Sequence, residues 1–282
     1  MVVQSLGVIG AGTMGSGIAQ VAARAGLAVS LADVKPEFVE RGLSQIGSSL
    51  QRDVDKGRLT TEGKGEIVGR IMPTTDLSQF QDVDFVVEAV TEDPGVKTNL
   101  LRAVAEIAGP SAIIASNTSS ISITTLGAAT GRADRFIGMH FMNPVPVMKL
   151  VEIIRGAATS DETYEATRSL AESLGKIPVE VNDAPGFIAN RVLMPMINEA
   201  IFAVYEGVAS PKAVDEIMKL GMNHPMGPLQ LADFIGLDVC LAIMNVLYDG
   251  FNDSKYRPCP LLKKYVSAGW LGKKTGKGFY EY

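Results

Sequence analysis

The stretch "SLGVIGAGTMGSGIAQVAARAGLAVSLAD", residues 5–33, contains a short apolar run, a glycine-rich turn, a helical pattern and a second apolar run. Residues 15–25 have the spacing of one apolar helix face, and Gly26 is a typical residue at which a helix ends. This order predicts strand, turn, helix and strand, which is one βαβ unit with a right-handed connection. The stretch therefore indicates an α/β fold.

The turn "GAGTMG", residues 10–15, matches the pattern G-x-G-x-x-G. A plain tight turn is the alternative interpretation, since glycine turns are common. Here the pattern follows a strand and opens a helix, which is the context that the dinucleotide-binding fingerprint requires. Gly10 would permit the turn, Gly12 would let a pyrophosphate approach the backbone, and Gly15 would let the helix pack closely on the strand.

Asp33 ends the second strand of this unit. A carboxylate at that position accepts hydrogen bonds from the adenosine ribose hydroxyls, and it would repel the 2′-phosphate of NADP. The first 33 residues therefore favour NAD as the cofactor.

Residues of about 35–70 give no strand signal and contain two helical runs that meet near Gly57. We predict a helical hairpin inserted between strands. The hairpin carries, among other charged residues, the cations Arg52, Lys56, Arg58 and Lys64. They form either a basic arm for a phosphorylated substrate tail or an ordinary solvated face balanced by nearby acids, and the spacing does not choose between these.

Regular alternation of strands and helices resumes after the hairpin. Strands are predicted near 71–73, 83–88, 112–116, 135–140, 150–154 and 177–181, and helices near 96–108 and 161–175. Several of these strands are unbroken apolar runs, which are typical of a sheet covered on both faces.

The strand signal stops at "NDAPGF", residues 182–187, and helices are predicted at 188–207, 211–220 and 228–248. We therefore predict an NAD-binding domain over residues 1–184 and an all-helical domain over residues 185–282, divided at a Pro-Gly pair. The second domain carries more apolar faces than its size can bury. The surplus predicts a subunit interface.

Composition restricts the function classes. The chain of 282 residues has a net charge of −5, which argues against general affinity for nucleic acid. No run approaches the roughly 18 apolar residues of a membrane span. Two cysteines, Cys240 and Cys259, form neither a disulfide framework nor a metal-binding spacing, so a reducing compartment, the cytoplasm, is expected.

Polar residues follow the strands on the edge where open α/β sheets bind ligands. Glu88, Glu92 and Lys97 lie at or just past the fourth strand, and Asn117 and Ser119 follow the fifth. The alternatives are a solvated loop for the first group, and turn or helix-cap chemistry for the second.

His140 ends its predicted strand on the same edge, and Glu152 is a lone acid in the apolar run "LVEII". An imidazole titrates near neutrality and can take a proton from an alcohol, while a carboxylate on its other nitrogen would fix the tautomer. Two structural polar groups that satisfy each other are the alternative. The second histidine, His224, is expected in a loop or helix cap.

Seven motifs together resemble the L-3-hydroxyacyl-CoA dehydrogenase family, most closely its short, single-function members. They run nearly from end to end: "GVIGAGTMGSGIAQVAA", "VVEAVTED", "SNTSS", "GMHFMNPVPVMKLVEI", "NDAPGFIANRVLMPMINEA", "GPLQLADFIGLD" and "GKKTGKGFYEY". The resemblance implies a Rossmann-like NAD domain, a helical domain that forms a homodimer, and interconversion of an L-3-hydroxyacyl-CoA with a 3-ketoacyl-CoA. A dehydrogenase of a free hydroxy acid and a non-catalytic NAD-binding protein are the competing interpretations.

The resemblance also implies roles for individual residues. His140 matches the catalytic histidine and Glu152 its acidic partner, while Ser119 and Asn190 match positions that contact the substrate oxygens. Ser49 matches a position where the hairpin meets CoA, as does Lys56. The positions that match cofactor contacts are Gly10, Ala11, Gly12, Thr13, Met14, Gly15, Asp33, Glu92, Lys97, Asn117, Asn143 and Lys274. No metal ligand is expected.

Overall fold

The structure is a computed structural model that describes residues 3–282, so Met1 and Val2 lie outside the described residues. The chain divides into two compact units, Met1–Asp183 and Ala184–Tyr282.

The first unit is built on an eight-stranded sheet in the order β3-β2-β1-β4-β5-β6-β7-β8. Strands β1 to β6 pair in parallel, β7 is antiparallel to β6, and β8 is parallel to β7. The strands are β1 (Ser5–Ile9), β2 (Ala28–Ala32), β3 (Ile71–Thr74), β4 (Phe85–Glu88), β5 (Ile113–Ser116), β6 (Phe136–Phe141), β7 (Leu150–Arg155) and β8 (Ile177–Asn182). The sequence therefore located every strand of this sheet.

The helices of the first unit are α1 (Thr13–Arg24), α2 (Pro36–Asp55), α3 (Thr61–Gly69), α4 (Pro94–Ile107), α5 (Ile123–Ala129) and α6 (Asp161–Ser173). The predicted hairpin is α2 and α3, and the side chain of Thr60 caps α3 by accepting a hydrogen bond from Gly63 N. Helix α5 was not predicted, because its seven residues are too few to show a helical period.

The core of this unit explains the unbroken apolar strands. Every residue of β4, β5 and β6 is buried, because helices cover both faces of the sheet. The edge strand β8 has only one buried residue, Val181. The carboxyl ends of β1, β4 and β5 lie side by side and bring the segments that follow them together.

The second unit contains α7 (Ala189–Tyr205), α8 (Pro211–Gly221), α9 (Pro228–Ile235), α10 (Leu237–Phe251) and α11 (Pro260–Ser267). The prediction of one helix over 228–248 was wrong, because α9 and α10 meet at 98° across Gly236. Gly236 has φ 103°, a conformation that ends a helix and that glycine adopts without strain. Helix α11 was not predicted from the sequence either.

Two buried aspartates attach the C-terminal segment of this unit to its helices. Asp233 on α9 accepts hydrogen bonds from Phe279 N (3.0 Å) and Tyr280 N (2.9 Å). Asp215 on α8 accepts one from the Tyr280 hydroxyl at 2.7 Å. Burial, followed by this hydrogen bond to Asp215, raises the pKa of Tyr280.

Within residues 3–282, no single helix has both the length and the hydropathy that crossing a membrane requires. The bent pair formed by α9 and α10 meets the criterion only on length and composition.

Candidate active site

The glycine-rich loop between β1 and α1 has the shape of a phosphate cradle. Gly10 has φ 101°, and a Cβ there would lie 2.5 Å from the Ala89 carbonyl oxygen. A Cβ on Gly15 would lie 1.7 Å from the Gly10 oxygen, so α1 passes too close for any side chain. A Cβ on Gly12 would meet nothing within 4 Å, and no side chain caps the α1 N-terminus at Gly12. The loop therefore leaves open space at a helix N-terminus, where a pyrophosphate fits.

Asp33 lies just past β2, beside this loop. Its Oδ2 accepts a hydrogen bond from Ala11 N and its Oδ1 accepts one from Val34 N, both at 2.7 Å. These bonds fix the carboxylate, and each oxygen keeps a further lone pair that can accept from a ribose hydroxyl. The residues present therefore fit the diphosphate and adenosine ribose of NAD.

Three polar side chains form a hydrogen-bonded chain across β6 and β7. His140 is directly opposite Glu152 in the antiparallel register, so their side chains share one face of the sheet. His140 Nδ1 is 2.8 Å from Glu152 Oε2, and His140 Nε2 is 3.1 Å from Ser119 Oγ. His140 and Glu152 are only 6% and 2% exposed.

The chemistry of this chain follows from what each group can do. A carboxylate only accepts hydrogen bonds, so Nδ1 of His140 donates to Glu152. In the neutral imidazole, Nε2 then carries the lone pair that can take a proton. Such a chain can accept a proton from a hydroxyl and stabilise the resulting imidazolium.

The polar residues after β4 are more deeply placed than a solvated loop would be. Glu88 and Lys97 are 0% and 1% exposed, and Lys97 Nζ is 2.6 Å from Glu88 Oε1. The solvated-loop alternative is therefore wrong for this pair, whereas Glu92 remains 40% exposed. After β5, Asn117 Oδ1 accepts a hydrogen bond from Phe141 N at 2.9 Å, which ties the ends of β5 and β6 together.

A cleft of about 1360 Å³ lies beside α1 and α2. One face of α2 lines it with Arg41, Gln45, Ser49 and Arg52, while the buried face with Ile46 and Leu50 packs on the core. The lining contains one acidic residue, Asp53, and the cations Arg24, Arg41, Arg52, Lys56, Arg58, Lys149 and Lys176. The cleft is therefore electropositive and suits a phosphorylated ligand.

Two features fix the walls of this cleft. Asp53 Oδ2 is 2.7 Å from Arg24 Nη1, and Asp53 Oδ1 is 2.5 Å from Arg58 Nη2. The hydrogen bond from Arg24, followed by the one from Arg58, lowers the pKa of Asp53. Lys176 donates hydrogen bonds to the carbonyls of Val145 and Met148, and burial lowers its pKa. These contacts join α1 to the hairpin and hold the loop of residues 143–149 in place.

The predicted site residues fall into separate groups. Ser49, Lys56, Thr13 and Asn143 line the cleft together. Met14 packs partly buried against the core of the first unit. Asn190 lies in the first turn of α7 in the second unit. Lys274, also in the second unit, forms an ion pair with Asp238, and His224 lies between α8 and α9.

The sequence did not predict that residues of α1 and residues 173–176 line the cleft. Arg24, Arg41, Lys149 and Lys176 all line it. The helical spacing of Thr13, Gly17, Gln20 and Arg24 marks one face of α1, but spacing alone does not show which neighbour a face meets. Among residues 3–282, no cluster of three or more His, Cys, Asp or Glu side chains is placed to hold a metal ion.

A mostly parallel sheet with this glycine-rich loop and fixed aspartate defines a Rossmann-type NAD-binding protein, and the Ser–His–Glu chain offers a group that can take up a proton. Comparison with known families agrees. Residues 5–184 match "3-hydroxyacyl-CoA dehydrogenase, NAD binding domain" and residues 186–282 match "3-hydroxyacyl-CoA dehydrogenase, C-terminal domain". The chain belongs to the 3-hydroxyacyl-CoA dehydrogenase family and is an NAD-dependent dehydrogenase.

Individual relatives cover the chain almost completely. A 3-hydroxybutyryl-CoA dehydrogenase of Bradyrhizobium diazoefficiens is 54% identical over 100% of this chain and 96% of its own length. One of Clostridioides difficile is 48% identical over 98% of this chain and 99% of its own. The crystal structure of (S)-3-hydroxybutyryl-CoA dehydrogenase from Ralstonia eutropha is 52% identical, has a TM-score of 0.97, and shares 99% of each chain.

Proposed function

We propose that this dehydrogenase interconverts a short-chain L-3-hydroxyacyl-CoA, such as 3-hydroxybutyryl-CoA, with the corresponding 3-ketoacyl-CoA. The observation that carries the proposal is the hydrogen-bonded chain Ser119–His140–Glu152 in the unit that also carries an NAD-type loop. The short chain length is supported by the names of relatives that are 48–54% identical over nearly their whole length.

In this proposal His140 moves the proton of the 3-hydroxyl group. NAD⁺, when bound, supplies the acceptor for the hydride that leaves C3. Nε2 of His140 takes the hydroxyl proton, and Glu152 at 2.8 Å stabilises the positive charge that the imidazole gains. In the reductive direction the imidazolium returns the proton to the oxygen, and Ser119 adds a hydrogen bond as charge develops there. The family resemblance assigns Asn190 to the same role.

The electropositive cleft provides the handle for CoA. Lys56 and Ser49 lie on its hairpin wall, and the exposed Arg52 is on the same helix face. Guanidinium and ammonium groups hold phosphates by charge and hydrogen bonds. A free hydroxy acid has no phosphates to occupy this cleft, so the cleft favours a CoA ester over the free acid.

The cofactor contacts complete the proposal. The loop from Gly10 to Gly15 holds the pyrophosphate, and Asp33 holds the adenosine ribose and disfavours NADP. The further proposed contacts, taken from the family resemblance, are Glu92, Lys97, Asn117, Asn143 and Lys274.

The test is NADH oxidation measured with acetoacetyl-CoA, longer 3-ketoacyl-CoAs and free acetoacetate, each repeated with NADPH. We expect the highest kcat/KM with acetoacetyl-CoA and NADH. Equal turnover of free acetoacetate would remove the CoA assignment. NAD binding without turnover of any of these ketones would contradict the enzymatic proposal.

We further propose that the second unit forms a homodimer, as the resemblance implies. Large apolar side chains are exposed on it: Val192, Val208, Ile217, Leu220 (86% exposed), Met222 and Phe234. Light scattering after size exclusion should give twice the mass of one chain. Leu220→Asp should shift it towards the monomer, and Lys212→Asp on the same helix should not.

The proposed location is the cytoplasm. Cys240 and Cys259 are both free and buried, which suits a reducing compartment. Localisation of a tagged chain by fractionation tests this assignment.

A further inference from the structure

The buried ion pair between Glu88 and Lys97 has no part in the proton transfer proposed above. Glu88 ends β4 and Lys97 lies in the first turns of α4. Glu88 Oε1 also accepts a hydrogen bond from Val90 N at 2.7 Å, and its Oε2 accepts one from Ser116 Oγ at 2.6 Å. Replacing a buried pair by apolar residues is often neutral or stabilising, so stability alone is a weak reason for this one.

The pair is connected to the Ser119 loop through Glu92. Lys97 Nζ is 3.4 Å from Glu92 Oε2, and the other oxygen of Glu92 faces the loop that follows β5. That oxygen, Oε1, accepts hydrogen bonds from Thr118 Oγ1 (2.6 Å), Ser119 N (2.8 Å) and Ser120 Oγ (2.9 Å). One carboxylate therefore holds three consecutive residues of the loop.

The same loop carries the hydroxyl that contacts His140. Ser119 Oγ is 3.1 Å from His140 Nε2, and Ser119 N is held by Glu92. A continuous series of polar contacts thus runs from Glu88 through Lys97, Glu92 and Ser119 to the imidazole. We propose that Lys97 and Glu88 are positioning residues that fix Ser119 against His140 through Glu92. The proposal rests on the catalytic role given to Ser119 and His140 above.

The charge state of Glu92 suits this task. Burial raises its pKa, but the charge of Lys97 and the three hydrogen bonds outweigh burial and leave the pKa below its ordinary value. A carboxylate can accept from several donors at once, whereas a protonated acid would have to use one oxygen as a donor. Without Lys97, the partly exposed Glu92 side chain would be free to leave the loop for water.

The resemblance assigns Lys97 a direct contact with the cofactor, and the geometry argues for the indirect role. An ammonium group has three N–H donors. Three acceptors surround the ammonium group of Lys97: Glu88 Oε1, Val90 O (3.3 Å) and Glu92 Oε2. Lys97 is also only 1% exposed. A direct contact would require Lys97 to give up one of these partners.

The test is a double-mutant cycle on the full-length enzyme. The double variant Lys97→Met/Glu88→Gln removes both charges of the pair, so neither is left buried without a partner. This double change is made once in the natural chain and once in the Ser119→Ala variant. We expect the paired change to lower kcat by about tenfold to a hundredfold, since a misplacement of ~1 Å can cost roughly that much. The KM for NADH should stay within about twofold. With Ser119 already replaced, the same change should lower kcat less than about twofold, since coupled positions are not additive.

Other outcomes overturn the inference. If the paired change lowers kcat by the same factor in Ser119→Ala as in the natural chain, the pair does not act through Ser119. The same conclusion follows if the paired change raises the KM for NADH and leaves kcat normal. Arg102→Met, an exposed change on the same helix, is the control and should match the natural chain.

A second variant protects the test against misfolding. If the paired variant loses its cooperative thermal unfolding, Glu92→Ala replaces it as the test. Glu92 is partly exposed and makes the contacts between Lys97 and the Ser119 loop. We expect Glu92→Ala to lower kcat in the natural chain but not in the Ser119→Ala variant. Glu92→Gln, whose Oε1 can still accept from Ser119 N, should recover most of the rate. Turnover of acetoacetyl-CoA by the natural chain and its loss in His140→Gln report on the proposed function separately, so the two proposals fail independently.

Discussion

Two regions of the first unit differ in how they are built. Around His140, the side chains of Ser119 in the loop after β5, His140 on β6 and Glu152 on β7 contact one another, with heavy-atom distances of 2.8 Å and 3.1 Å. His140 and Glu152 are buried, and Ser119 is partly buried. Around Lys56, the cleft is wide, and its lining cations are exposed side chains except for the buried Lys176.

The difference follows from what each region has to do. Proton transfer works only within hydrogen-bond reach, so its groups have to be held by strands and by further hydrogen bonds. A long ligand with several phosphates needs positive charge and space, and it tolerates movement of each cation. Substitutions in the first region should therefore change kcat strongly, and substitutions in the second should change KM modestly.

The largest effect is expected for His140→Gln. Loss of the group that carries the proton should lower kcat by roughly 10²–10⁴-fold, while thermal unfolding stays close to that of the natural chain. His224→Gln is the matched control, since it removes the other histidine. A near-normal rate in His140→Gln would show that the buried region around His140 does not carry the proton transfer.

Glu152→Gln should have the second largest effect. The amide keeps the shape of the carboxylate but cannot stabilise the imidazolium, and a hydrogen bond to a charged group contributes about 1.5–3 kcal/mol, or roughly a tenfold to hundredfold change in kcat. The pH profile of kcat should also shift. If rate and profile both match those of Glu172→Gln, an exposed change on α6, Glu152 is structural only.

Asp33→Asn tests the edge of the sheet next to the glycine-rich loop. Removing the negative charge beside the adenosine ribose should reduce the preference for NADH over NADPH by about tenfold or more, because tenfold corresponds to only about 1.4 kcal/mol and like-charge repulsion across a binding site can cost several kcal/mol. The measurement is the ratio of kcat/KM for the two cofactors. Asp82→Asn, an exposed change elsewhere in this unit, controls for net charge. An unchanged ratio would show that Asp33 does not read the ribose.

The smallest effect is expected for Lys56→Ala. An exposed charge pair contributes about 0.2–1 kcal/mol, so the KM for acetoacetyl-CoA should rise by roughly 1.5-fold to 5-fold with little change in kcat. Added salt should reduce the difference. Lys64→Ala is the control, because Lys64 donates to Gln51 at 2.8 Å on the same hairpin and does not line the cleft. Equal KM values for the two variants would return Lys56 to an ordinary solvated residue.

The features of this protein that depend on local pattern can be predicted from its amino-acid sequence. Apolar runs and helical periods located the strands of the sheet, the hairpin and most helices, and the context of "GAGTMG" with Asp33 indicated NAD. These signals work because neighbouring residues share one strand or helix period. The family motifs added the candidate roles of His140, Glu152 and Ser119.

The features that depend on long-range register and burial become visible only in the folded chain. The antiparallel pairing of β6 with β7 puts His140 opposite Glu152, and a shift of one residue would turn the two side chains to opposite faces. Three further features also depend on long-range contacts. They are the burial of Lys97 against Glu88, the bend at Gly236 and the face of α2 that lines the cleft. They depend on which distant segments meet, and local spacing carries no information about that.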